Sequence, residues 1–213
     1  MTDKQKTINL LLQKYTTTFA ADVGIKIDNS PTELFKLFCS AMLFSTRIRS
    51  DIAVKAAKEL FAAGWTSPQK MIEASWQQRV EALDRAGYAR YDESTSSKLE
   101  ENSRKIINHY HGDLNQLREA AHHDPQQERQ LLKQFNGIGD VGTDIFFREI
   151  QSIWEELFPF ADQKAIQAAK ELGLADNTQM LSELVGRNNF IHLVDSLVKT
   201  NINKQYDSIL KAA

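Results

Sequence analysis

The chain has one cysteine, four prolines and nine glycines in 213 residues, and basic residues do not outnumber acidic ones, so the net charge is -2. A single thiol excludes an intrachain disulfide framework and an iron-sulfur cluster with four cysteine ligands. Cys39 lies among Leu37, Phe38, Ala41 and Met42, which predicts a small buried hydrophobe in a reducing compartment. The five histidines (109, 111, 122, 123 and 192) lack zinc-ligand spacing, and the pair His122-His123 reads as a loop. No run of ~18 apolar residues occurs, and the opening MTDKQKTINL has neither an apolar core nor a small-residue cleavage site, so the expectation is a cytoplasmic chain with no membrane partner. Without a general basic excess, any nucleic-acid face must be local.

What is present is helical periodicity. Leu34, Leu37, Phe38, Ala41 and Met42 follow the i, i+3, i+4, i+7, i+8 pattern, as do Ala53, Ala56, Ala57, Leu60 and Phe61. Ser30-Pro31 with Glu33, Asp124-Pro125 with Gln127, and Ser67-Pro68 are start signals, the first two with the makings of a capping box. Glycines 64, 87, 112, 173 and 186 fall just past periodic segments, where a left-handed cap favours a residue without Cβ. GIKID at 24–28 is too short for a convincing strand. The class is all-α, with about ten helices. Trp65, Trp76 and Trp154 are assigned to packing, and Arg90, Lys98, Arg104 and Lys105 to a solvated helix face.

The most informative stretch is LLKQFNGIGDVGTDIFFREI, Leu131 to Ile150. Two amphipathic segments are joined by only Asn136 to Asp140, where Gly137 and Gly139 are expected to take positive φ and Ile138 to plug between the helices. The amides of Gly139, Asp140 and Val141 should then stand unpaired at a helix N-terminus, where they and the helix dipole favour an anion such as phosphate. On these residues alone an ordinary αα-hairpin with a glycine turn is the favoured reading.

That stretch, followed by PFADQKAIQAAKELGL, resembles the helix-hairpin-helix DNA glycosylases of the endonuclease III superfamily, and LFCSAMLFSTRIRSDIAVKAAKELF looks like their early barrel helix. The resemblance covers residues 30 to 175. It implies a two-lobed all-α fold, with a barrel lobe at 30–150 that ends in the helix-hairpin-helix at 131–150, and a second lobe of 1–29 with 151–213. It also implies double-stranded DNA as partner, gripped through Gly137, Ile138, Gly139, Asp140 and Val141, and a place in base excision repair. No cofactor is required, although relatives hold K+ or Na+ on hairpin carbonyls that map onto Lys133, Phe135 and Ile138. No protein partner is readable.

Asp162, after Phe158-Pro159-Phe160-Ala161 and before Ile166, Ala169 and Leu172, is at an N-cap position. The resemblance makes it the carboxylate that stabilises positive charge on the sugar while the glycosidic bond breaks. Bifunctional relatives carry a lysine where this chain has Val141, so Schiff-base lyase chemistry is not expected. The implied activity is that of a monofunctional glycosylase hydrolysing the N-glycosidic bond of a damaged base; the alternative is a non-catalytic helix-hairpin-helix DNA-binding protein. Arg47 lies near where relatives place a residue that fills the gap left by a flipped base, or it pairs with Asp51. Tyr88 and Tyr91 either stack on an extruded base or pack.

Overall fold

A computed structural model describes residues 3–212, and among these there are thirteen α-helices, one 3-10 turn and no strand. The helices are α1 (Asp3–Lys14), α2 (Phe19–Asp22), α3 (Pro31–Ser45), α4 (Ser50–Ala62), α5 (Pro68–Glu73), α6 (Trp76–Arg85) and α7 (Asp92–Tyr110). Then follow α8 (Asn115–Ala120), α9 (Pro125–Leu132), α10 (Asp140–Ile150), α11 (Gln163–Glu171), α12 (Thr178–Asn203) and α13 (Tyr206–Leu210). The excess over about ten comes from α2, α8 and α13, which have four to six residues each and are too short to show a periodic pattern. None of the described helices is long and apolar enough to cross a membrane.

The helix starts are chemical. Ser30, Ser67 and Asp124 each accept the amide of the residue three positions on, and each precedes a proline. The Glu33 carboxylate does not reciprocate. It accepts the Lys26 amide at 3.0 Å instead, while the Ser30 amide donates to Asp28. A complete capping box forms at Ser75 and Gln78, where no proline advertises it. The expected positive φ holds at glycines 64, 87, 112, 173 and 186. Gly186, at φ 67°, ψ 172°, ends one helical segment and begins another, so that α12 is two helices joined at a kink.

The chain divides into two units, Ala20–Phe146 and Met1–Phe19 with Phe147–Ala213. These limits lie ten and four residues before those the resemblance implied, and Ala20, Val23 and Ile25, which fall in the unit Ala20–Phe146, are buried. In the unit Ala20–Phe146, α3 packs on α4, α4 on α6, and α5 and α6 on α7. Leu34, Phe38, Ala56, Leu60, Leu99 and Ile106 are fully buried there, as is Cys39, whose thiol burial pushes well above its usual range. Arg79, also fully buried, donates to the carbonyls of Met71 and Ala74 at the end of α5 and pairs with Glu100 of α7. In the other unit α12 packs against α1 and α11, and Leu11, Trp154, Phe190, Leu193 and Leu197 are buried.

Candidate nucleic-acid interface

In the unit Ala20–Phe146, α9 ends at Leu132 and the chain turns through 133–139 into α10. Gly137 takes φ 85°, as the turn demands, but Gly139 does not take a positive φ. The reason is its place: the Gly139 carbonyl accepts the first intrahelical bond of α10, from Thr143 at 3.0 Å, so Gly139 is the cap residue, with backbone any L-residue adopts. Its lack of a side chain has a different effect. A Cβ at Gly139 would meet nothing within 4 Å, so the backbone faces open space. Ile138 is 4% exposed and fills the hairpin as expected.

Side chains distant in sequence pin this turn. The Asn102 amide grips the backbone of Asn136 from both sides, accepting its N–H at 2.9 Å and donating to its carbonyl at 2.8 Å. Lys105 Nζ donates to the Gln134 carbonyl at 2.8 Å and lies 5.1 Å from the centre of the Phe135 ring. The Ser45 hydroxyl reaches the carbonyls of Met42 and Gly137 at 2.8 and 3.3 Å. These pins were not read from sequence, and nothing local signals them: Asn102 and Lys105 sit on a helix whose periodicity speaks only for Leu99 and Ile106.

The result is a fixed strip in which Gly137, Gly139, Asp140 and Val141 are exposed, with Asp140, Val141 and Gly142 as the first turn of α10. The amides of a first turn have no partner inside their helix and point outward along its axis. Val141 is half exposed and carries only an alkyl group. Arg47, in the short link from α3 to α4, is exposed and has no ion-pair partner among the described residues, since Asp51 takes Arg49 at 3.0 Å instead.

The tyrosines separate. Tyr88 is fully buried, and its hydroxyl donates to the Leu43 carbonyl at 3.2 Å, so it cannot receive a base; burial also raises its ionisation above the ordinary phenol range. Tyr91 is half-buried, edge-on to Tyr88, with the Arg90 guanidinium 5.3 Å from its ring centre. Trp154 is buried as assigned, but Trp76 is 40% exposed and donates to the Ser97 hydroxyl, so it is not a core residue.

In the other unit, Asp162 is buried at the N-terminus of α11. Its Oδ1 accepts the Ala165 amide at 3.0 Å, and its Oδ2 accepts from Arg148 at 2.5 Å. Arg148 is itself 3% exposed and is shared: its Nε lies 2.7 Å from Asp195 and 3.6 Å from Glu149. Phe19 completes the nest, with its amide donating to Asp195 Oδ2 at 2.7 Å and its ring beneath the guanidinium at 5.0 Å. Burial works against the charge on Arg148, but Asp195, Asp162 and Glu149 together outweigh it and hold the guanidinium above its ordinary range. Arg148 and Asp195 were not foreseen as site residues; Arg148 reads as the basic end of an amphipathic helix until its partners, 14 and 47 residues further on, are known.

No protein-family model and no curated protein matches the sequence. Among solved structures, a "non-covalent Endonuclease III-DNA Complex" superposes with TM-score 0.55 at 13% identity, over 94% of this chain and 86% of that one. A "Trapped Endonuclease III-DNA Covalent Intermediate: Estranged-Adenine Complex" does so with TM-score 0.52 at 14% identity and the same coverage. The fold is that of endonuclease III. At this identity the likeness is one of architecture, and what the side chains do must be argued from this chain.

Proposed function

We propose that this protein binds the backbone of double-stranded DNA through the α9–α10 hairpin, as a DNA-associated repair-type protein whose Asp162 is tied into a buried ion pair with Arg148. The observation that carries it is the exposed strip 137–141 at the start of α10, pinned from behind by Asn102 and Ser45 and open at Gly139. Outward amides and the positive end of a helix dipole suit a phosphate, and a rigid turn presents them without an ordering cost. Contacts of this kind position a duplex without reading its sequence. K+ or Na+ suits the same turn: among the described residues the carbonyls of Lys133 and Ile138 accept no hydrogen bond, while that of Phe135 accepts the Ile138 amide at 3.1 Å. A cation held by these three oxygens would add positive charge beside a bound phosphate.

Salt titrations of binding to unrelated duplexes test the reading. The expected result is affinity that falls with salt, is indifferent to sequence, and is lost in Gly139→Glu, whose carboxylate would project where the phosphate should sit.

The second reading is hydrolytic base excision assisted by Asp162, favoured by its place as the cap of α11, where the resemblance puts the reactive carboxylate. Against it stand the burial of Asp162 and its ion pair with Arg148, which spends much of the negative charge that would stabilise an oxocarbenium-like sugar. Under the first reading, duplexes with alkylated, oxidised or deaminated bases release nothing. Base release abolished by Asp162→Asn would replace the first reading with the second. Val141 excludes an amine at its own position under either.

A further inference from the structure

Two cations from the α9 side of the hairpin are not idle. Lys133 Nζ lies 2.7 Å from Asp140 Oδ1, and Arg129 lies 3.7 Å from the same oxygen and 2.6 Å from Asp144 Oδ1. Two basic side chains from the end of α9 are thus answered by two carboxylates from the start of α10. Asp140 is the first residue of α10, where a negative charge gains most from the helix dipole and where an incoming phosphate would gain the same. The Lys133 ammonium holds the Asp140 carboxyl below the usual range. Both side chains are well exposed, 41% for Lys133 and 68% for Asp140, so water can replace either partner and the pair is readily broken.

We infer that Asp140 is a built-in rival of the DNA phosphate, one that sets the affinity of the hairpin by occupying Lys133 and the positive end of α10. The inference rests on the hairpin reading above. With Asp140 in place, a phosphate must displace a carboxylate from Lys133 and approach another negative charge. With an uncharged side chain there, Lys133 becomes free to neutralise a phosphate.

The test is a double-mutant cycle read by duplex binding across a salt series, with wild type, Asp140→Asn, Lys133→Gln, the double variant and Gly139→Glu. Asp140→Asn is expected to tighten binding about threefold near 0.1 M salt, the scale of one exposed like-charge repulsion. Its log-log salt slope should steepen by about 0.9, one further phosphate neutralised. Lys133→Gln should change little by itself and should remove the gain when combined with Asp140→Asn. If Asp140→Asn leaves affinity and slope unchanged or weakens binding while Gly139→Glu abolishes it, the hairpin reading stands and the rivalry is overturned. If the wild type does not bind duplex, or Gly139→Glu binds as well as wild type, the hairpin reading fails and the rivalry with it. All the substituted positions are exposed, so loss of fold does not confound the cycle.

Discussion

Arg148 is the residue on which most depends in its unit, because one buried guanidinium answers three carboxylates. Replacing it with methionine keeps much of the volume and removes the charge, leaving Asp162, Asp195 and Glu149 buried without their cation. The expected cost is on the order of 3–5 kcal/mol, read from the denaturant midpoint. Asp162→Asn should cost less than Asp162→Ala, since asparagine still caps α11 by accepting the Ala165 amide. Cys39 gives a third check at this scale. Its buried, protonated thiol should resist iodoacetamide in the folded protein and react once denaturant is added. The burial of Cys39 was legible from its neighbours in sequence. The burial of Tyr88 was not, because the Leu43 carbonyl that takes its hydroxyl lies 45 residues away and no local pattern points to it.

Among the elements, the hairpin separates two roles that its glycines share in sequence. Gly137 holds φ 85° with Met42 and Lys98 atoms 3.2–3.3 Å from where a Cβ would sit, so Gly137→Ala should destabilise by at least the left-handed penalty of about 1–2 kcal/mol. Gly139 is neither left-handed nor crowded. Gly139→Ala should cost less stability than Gly137→Ala, through the poorer N-cap alone, and weaken DNA binding, a contrast that melting and binding curves measured together will expose. At the kink of α12, φ 67° and ψ 172° belong to a region almost reserved for glycine, and Gly186→Ala should cost about 1–3 kcal/mol in the same melts. Capping serines and glycine stops made the helices readable because their chemistry is local. The Asn102 clasp on the hairpin joins residues 34 apart, so only the folded chain displays it.

For the molecule as a whole, a net charge of -2 means that long-range attraction to DNA is weak and that binding must come from local features of the hairpin, its outward amides and helix dipole. The salt slope should therefore be shallow compared with that of strongly basic binders, each phosphate contact contributing about 0.9. The all-helical class and the resemblance to endonuclease III could be argued from the hairpin and the stretch around Asp162. The unit limits could not, since no linker marks them and the division follows from which apolar residues share a core.

The unit that holds Asp162 is assembled from the two ends of the chain. Lys4 donates to the carbonyl of Leu174, Lys199 to that of Thr17, and Phe19 to the carboxylate of Asp195, each pair 170 or more positions apart in the chain. A ribosome therefore releases everything needed for the middle unit before it has made the partners of the first nineteen residues. During synthesis α1 must wait with Ile8 and Leu11 uncovered, and a nascent chain arrested before α12 should present that helix to chaperones and proteases while residues 20–146 are already protected.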